Sequence, residues 1–334
     1  MRVAIYESEL CEKHLENLKS DFPEKPDRVK VISSALHKLQ DSQHLQALEF
    51  LTPEPVTTED LRSIHSSKHI QNINSCVTQA TEEQCVVKYL HDSDVLLDST
   101  SNEAALVAAG AMRDAVQLVY SGQITKAFCN VRPPGHHAHS YKAEGFCLYN
   151  NVWFGVTQAR KIALSLALPA PRIAIIDWDV HHGDGTENFV LRNTDLPTYF
   201  LSLHQKWTTI WPRTGKECYK QREESICINH NLKPGEGDVE VKEYFQNFLI
   251  PDLRKWKPDI IFISCGFDAH VLDPIGKLNY SSSLYGWMTA QLVDVANEMC
   301  AGRLISVLEG GYNLQALGEA SVEHVKALIG LDAE

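Results

Sequence analysis

Residues 172–185 read RIAIIDWDVHHGDG, an apolar run rich in β-branched residues that breaks off into aspartate and histidine. A near-continuous hydrophobic run marks a strand covered on both faces, as in a parallel sheet packed between helices. Similar runs stand at 2–8 (RVAIYES), 126–132 (KAFCNVR), 199–204 (YFLSLH), 225–230 (SICINH), 259–267 (DIIFISCGF) and 303–311 (RLISVLEGG). Helix-period segments separate many of them, at 27–50, 66–80, 102–121, 150–167, 238–256, 281–299 and 313–330, while 51–57 and 205–223 read as loops. Alternation of strand and helix predicts an α/β fold with three layers, α/β/α, around a mostly parallel sheet. Neither loop divides the strands into two self-sufficient sets, so residues 1–334 read as one domain.

Composition narrows the function. The 334 residues are 44% hydrophobic and 22% charged, which excludes disordered, collagenous and coiled-coil chains. There is no apolar run long enough to span a membrane. The opening MRVAIYESEL lacks the basic start and apolar stretch of a secretory signal, so a cytosolic location is expected. A net charge of −12 without a basic block argues against nucleic acid as a partner. The acid excess suits a cationic ligand, and equally a chain kept soluble by its charge. Nine cysteines stand apart with no CxxC pair, which speaks against a disulfide framework or a thiolate zinc site.

In an open parallel sheet, ligands bind beyond the carboxyl ends of the strands. Four polar clusters fall there: RPPGHHAH at 132–139, DWDVHHGDG at 177–185, GFDAH at 266–270 and EGGYN at 309–313. On a strand, residues two apart share a face, so Asp177, Asp179 and His181 would stack two carboxylates and an imidazole together. Asp268, after another strand, is the best candidate for a third metal ligand, although an aspartate there also suits a turn or a helix cap. An oxygen–oxygen–nitrogen set without thiolate suits a hydrolytic zinc, and would also accept iron or cobalt(II). His136 and His137 follow a stiff Arg-Pro-Pro-Gly loop and suit general acid–base work, with Asp177 and Asp184 as the acids left to orient them. His139 and His182 read as structural or surface residues. Tyr312 follows two glycines, and its phenol could donate to a developing oxyanion.

Taken together, RPPGHHA, GFCLYNN, DWDVHHGDGTE, GFDAH with its following DP, and EGGYN resemble the zinc-dependent histone deacetylase and acetylpolyamine amidohydrolase superfamily, closest in flavour to class II and bacterial members. The likeness runs from about Pro23 to Asn313. It implies the arginase–deacetylase fold with an eight-stranded parallel sheet. It implies zinc on Asp179, His181 and Asp268, with His137 as general base oriented by Asp184. His136, oriented by Asp177, would stand near the leaving amine, and Tyr312 would polarise the acetyl carbonyl. A structural potassium ion would lie beside Asp177 and Asp179, with Ser202 and the main-chain oxygens of His181 and Leu203. Phe146 and Trp211 would wall the substrate tunnel, Gly145 would permit close approach, Asp94 would be a rim acid, and Arg28 would lie near an acetate exit. Two residues depart from the family pattern: Phe22 stands where histidine is frequent and Arg213 where glycine is usual.

The resemblance implies an acetylated substrate, a small acetylated amine or an acetyl-lysine peptide. Ile275, where polyamine-selective members can carry glutamate, favours acetyl-lysine. The acids Asp94 and Asp98 and the compact chain favour an acetylpolyamine. An arginase-type ureohydrolase, which needs two manganese ions, and a non-catalytic acetyl-lysine reader are the alternatives from other classes.

Overall fold

A computed structural model describes residues 2–18, 21–43, 47–90 and 92–331. Among them the strands are β1 (Val3–Tyr6), β2 (Leu48–Leu51), β3 (Val87–Tyr89), β4 (Asp92–Leu97), β5 (Lys126–Cys129), β6 (Ile173–Asp177), β7 (Thr198–Gln205), β8 (Cys218–Arg222), β9 (Ser225–Leu232), β10 (Ile260–Cys265) and β11 (Leu304–Leu308). Nine form one sheet in the order β2-β1-β5-β11-β10-β6-β7-β9-β8, and β3 and β4 pair as a separate hairpin. Every pairing in the large sheet is parallel except β8 on β9, so the sheet has one antiparallel edge strand more than the eight parallel strands expected. The strands that precede the four polar clusters, β5, β11, β10 and β6, are consecutive neighbours in this order. Because they are parallel, their carboxyl ends open side by side on one rim.

Period-two burial explains why the runs are apolar throughout. Along β6, Ala174 and Ile176 point into one core, while Ile173 and Ile175 point into the other. Each fully buried aliphatic side chain contributes about 1.5–3 kcal/mol. Helices cover both faces, and several begin at residues of the polar motifs. The Asn150 side chain accepts from Trp153 N at 2.9 Å and so caps the helix Asn151–Ser165, and Asn313 caps Leu314–Ile329 in the same way. Three boundaries differ from expectation. The segment 27–50 is a helix only over Asp27–Gln43, with β2 at its end; β8 lies inside the expected loop 205–223; and β3 and β4 were not anticipated. No helix among the described residues is long and apolar enough to cross a membrane.

A fully buried ionic knot ties the N-terminal segment to the rim. The Arg132 guanidinium meets the Glu24 carboxylate at 2.6 and 2.7 Å and also donates to Cys11 O and His14 O. Arg28 donates to Glu24 at 3.0 Å, to Gly311 O at 2.6 Å and to Glu309 O. Burial alone would raise the Glu24 carboxyl, but Arg132, and then Arg28, pull it down to about 2 from an ordinary 4.5. A depressed carboxyl stabilises the fold above its unfolded pKa, and that contribution is lost as pH falls through the folded value. Unfolding free energy is therefore expected to decline between about pH 4.5 and pH 2. Glu24→Gln should cost about 3–5 kcal/mol at neutral pH by leaving two buried guanidinium groups short of charge, and should flatten that acid limb. Denaturant melts of both chains across this range measure it; an unchanged midpoint would refute the assignment.

Candidate metal centre and active-site cavity

Strand β6 ends at Asp177, and the chain turns before Asp179 and His181, so the three do not share a strand face as the spacing predicted. Asp177 instead turns away from the metal group. Its Oδ1 accepts from Asp179 N at 3.1 Å, and its Oδ2 lies 3.0 Å from His136 Nδ1. The group that does assemble is Asp179, His181 and Asp268, all buried, with ligand atoms within 4.8 Å of one another. His181 Nδ1 lies 2.9 Å from Asp179 Oδ1 and 3.1 Å from Asp268 Oδ2.

The donor set fits a cation. Asp268 Oδ1 accepts from Val180 N at 2.8 Å and Asp179 Oδ2 from Gly310 N at 2.8 Å, which leaves buried Asp268 Oδ2 facing the His181 ring nitrogen at 3.1 Å. Burial, and then the Asp179 charge, push the Asp268 carboxyl up to about 7. Asp179 goes the other way: burial opposes its charge, but His136 and His181 outweigh it and hold the carboxyl well below its usual range. Two carboxylate oxygens and one imidazole nitrogen held this close are a donor set that zinc accepts. Gly266 and Gly310 make room for them, since a Cβ at either would strike the Asp179 oxygen, and at Gly310 also that of Asp268.

The two histidines are positioned from below by a residue that the motif contains but the spacing did not single out. Glu309 Oε2 accepts from Gly135 N at 2.7 Å and His136 N at 3.1 Å, and Ser264 Oγ donates to its other oxygen. Asn151 reaches Pro133 O and Asn150 reaches Ala138 O, bracing the same loop. His137 Nδ1 lies 2.8 Å from Asp184 Oδ1, at the start of the helix Asp184–Arg192, where the helix N-terminus favours negative charge. The two rings have centroids 3.9 Å apart but opposite leanings. Burial opposes a charge on His136, but Asp179, Asp177 and Glu309 outweigh it and raise its pKa well above the ordinary range. Burial and the neighbouring His136 push His137 down to about 3. Each imidazole is tied through Nδ1 to its own carboxylate, an arrangement that suits acid–base work.

A cavity of about 200 Å³ opens onto this group, lined by His136, His137, His181 and Tyr312 together with Asp94, Gly145, Phe146, Trp211 and Ile275. Gly145 has φ +53°, and a Cβ there would lie 2.7 Å from His137 Cδ2 and against the Trp211 ring. Its N–H donates to Asp92 Oδ2 at 2.8 Å, a contact the sequence reading missed. Trp211 meets His137 edge-on at 4.6 Å, and Phe146 meets Tyr312 at 6.0 Å. Tyr312 is set by Asp273, which accepts its N–H at 2.7 Å, and by Arg28, 5.0 Å from the ring centroid.

One expectation changes, that of Asp98, and other residues gain a definite setting. Phe22 packs edge-on against Phe146, ring centroids 5.1 Å apart. Asp98 is not a rim acid: it accepts from Leu15 N, Thr100 and Ser101 and so ties a strand end to the next helix. Of the two readings left open for His139 and His182, structural or surface, burial favours the first: they lie on Asp184 and on Thr214 and Glu187 respectively. Arg28 is fully enclosed in the ionic knot. Arg213 has φ +63°, the left-handed region a glycine would occupy without strain. Ser202 is level with Asp177 in the β6–β7 register, with its hydroxyl 2.9 Å from His204 Nδ1 and 3.3 Å from Gly183 N; Leu203 beside it is buried.

A family model described as the histone deacetylase domain matches residues 22–328. Histone deacetylase 14, chloroplastic, of Arabidopsis thaliana is 32% identical over 329 residues, covering 94% of this chain and 74% of that protein. A probable deacetylase of Archaeoglobus fulgidus is 32% identical over 325 residues, 96% of this chain and 86% of the relative. Histone deacetylase 15 of Arabidopsis thaliana is 32% identical over 318 residues, but the match spans only 53% of its length. The crystal structure of the HDA15 HD domain superposes with a TM-score of 0.86 at 29% identity, over 99% of this chain and 90% of that one. The sheet and its rim are thus those of the arginase–deacetylase fold, and the chain belongs to the histone deacetylase family, whose members are zinc-dependent hydrolases.

Proposed function

We propose that the protein removes acetyl groups from N-acetylated amines, releasing acetate and the free amine, and that acetyl-lysine side chains are its preferred substrate. The observation that carries this reading is the convergence of two histidines, a phenol and an Asp–His–Asp group on one narrow cavity. Asp179, His181 and Asp268 would hold the zinc that the family implies, and zinc bound there would acidify a water and polarise the acetyl carbonyl. Phe146 and Trp211 grip the methylene chain and exclude water. His137, tied through Nδ1 to Asp184, has Nε2 left to take a proton from the attacking water. His136, tied through Nδ1 to Asp177, stands near the amine, which leaves after protonation. Burial raises the Tyr312 phenol well above its usual range, so it stays protonated and donates to the oxyanion.

The preference for acetyl-lysine rests on the lining. Ile275 presents an apolar side chain where the second cation of a polyamine would need a carboxylate, and Asp98, the other acid invoked for a polyamine, is occupied in its strand-end cap. Asp94 serves either substrate by gripping backbone N–H or amine. A potassium ion beside Asp177 and Asp179, with Ser202 and the main-chain oxygens of His181 and Leu203, is part of the proposal and is supported by the β6–β7 register. A site drawn from Asp94 to Tyr312 supports reading 1–334 as one catalytic domain, and nine free cysteines suit a reducing compartment such as the cytosol. The presence of acid, base and phenol in one cavity weighs against a ureohydrolase and against a reader without turnover.

Three results are expected. On a fluorogenic acetyl-lysine amide, Tyr312→Phe should lose about 10²–10³-fold in kcat and His137→Ala about 10²–10⁴-fold; rates like those of the unaltered enzyme in both would overturn the mechanism. Measured side by side, kcat/KM for an acetyl-lysine peptide should exceed that for acetylated putrescine and spermidine, and the reverse order would move the assignment to polyamines. Metal analysis should find one zinc per chain, and its removal by a chelator should lower the melting temperature, since Asp179 and Asp268 are then buried without a cation; two manganese ions per chain would favour the ureohydrolase.

A further inference from the structure

The Asp184 carboxylate has an imidazole on each oxygen. Its Oδ1 lies 2.8 Å from His137 Nδ1, and its Oδ2 lies 3.0 Å from His139 Nε2. The same His139 nitrogen is 3.5 Å from Glu144 Oε2, which is paired in turn with the Lys142 ammonium. A ring nitrogen that faces two carboxylates has to carry the proton, so His139 is the donor in both contacts. His139 is only 8% exposed, and Nδ1, its other nitrogen, is buried with no hydrogen-bond partner. Burial opposes a charge on it, yet the bonds to Asp184 and Glu144 prevail and raise its pKa above the ordinary histidine range. Lys142 and Tyr141, whose ring centroid is 5.5 Å away, are the other titratable groups beside it. His139, Glu144 and Asp184 present ligand atoms within 4.8 Å of one another, the spacing of a metal site. The protein supplies the cation there itself, because Lys142 Nζ already sits on Glu144.

We infer that His139 is a positioning residue for the His137–Asp184 pair: it holds the second oxygen of Asp184 and so fixes the plane of the carboxylate that orients His137, while Glu144 and Lys142 hold His139. A carboxylate bonded through one oxygen retains a broad torsion about its last bond, and its partner imidazole swings with it. A second N–H on the other oxygen removes that freedom. The side chain acts here, not the main chain: the His139 backbone is separately fixed by the N–H bond to Lys142 O at 3.0 Å and by His65 Nδ1, 2.9 Å from His139 O. Removal of the imidazole therefore leaves the main chain held and frees Asp184, while Glu144 keeps Lys142 as its partner. Loss of an orienting partner behind a catalytic group typically costs about 10–100-fold.

The inference rests on the deacetylase reading, and the experiment separates the two. Zinc-loaded enzyme, His139→Ala and His139→Gln are compared on an acetyl-lysine amide, with zinc content and melting temperature measured for each. His139→Ala should lower kcat about tenfold or more, with KM and zinc content within about twofold of the parent. His139→Gln, whose amide can donate to Asp184, should recover most of kcat. Glu144→Gln, which removes the charge behind His139 and leaves the dyad intact, should cause a smaller fall in kcat and decides the matter if His139→Ala does not fold. Parent-like kcat in His139→Ala, equal losses in the Ala and Gln variants, or a change confined to KM would overturn the positioning role. If the parent enzyme itself turns over no acetylated amine, the deacetylase reading fails instead.

Discussion

Five carboxylates, Asp177, Asp179, Asp184, Asp268 and Glu309, are enclosed at the carboxyl ends of neighbouring strands, each at most 9% exposed. An unpaired carboxylate so placed costs several kcal/mol, so each must find a cation or converging N–H donors. The rim is built around that demand. Glu309 takes two backbone N–H groups from the histidine loop, Asp177 takes His136 and the Asp179 N–H, and Asp184 takes two imidazoles. Asp179 and Asp268 share the His181 imidazole between them, and this group of three would take a cation. Structure and chemistry are the same problem here: the group that most needs a cation is the group that would hold the zinc.

The same demand links the N-terminal segment to the chemistry. Tyr312 lies in a loop whose carbonyls at Glu309 and Gly311 are held by Arg28, and the Arg28 side chain also lies over the phenol ring. Arg28 could not be buried without Glu24, and Glu24 also binds Arg132 at the base of the histidine loop. One carboxylate, Glu24, thus fixes both the loop carrying His136 and His137 and the loop carrying Tyr312. A fully buried ion pair of this kind gives little net stability against an apolar replacement. Its effect is to set the register of two loops.

Much of this architecture was legible where burial writes itself into composition. Strands β6, β10 and β11 are apolar runs because both faces are covered. The edge strand β8 was not legible, because four of its five residues are exposed and carry no hydrophobic pattern. The edge strand β2 has four residues and follows a helix whose period appears to the eye to continue into it. At the site, the D-x-D-x-H spacing marked residues that do come close, but the turn after Asp177 takes Asp179 and His181 off its strand face and leaves Asp177 beside His136. Asp92, Asp273 and Glu309 went unrecognised because they act on backbone N–H groups, a partner that no sequence period reveals. Their available signal was position, since Asp273 lies in the DP pair and Glu309 opens EGGYN.

The mouth of the cavity shows how backbone strain is put to use. Glu144 and Cys147 bridge as an antiparallel pair across Gly145 and Phe146, which have φ +53° and +67°. Two central residues at positive φ mark the primed turns of tight hairpins, which glycine and asparagine take readily and phenylalanine does not. A non-glycine residue in that region costs about 1–3 kcal/mol and persists only where its surroundings hold it. The hold comes from both ends: Asp92 takes the Gly145 N–H, and Glu144 is pinned to Lys142 and His139. The strained turn sets the Phe146 ring edge-on to Tyr312 and brings Gly145 against Trp211 and His137. The Glu144 main chain thus opens the turn that shapes this wall of the cavity, while its carboxylate faces His139 and Lys142.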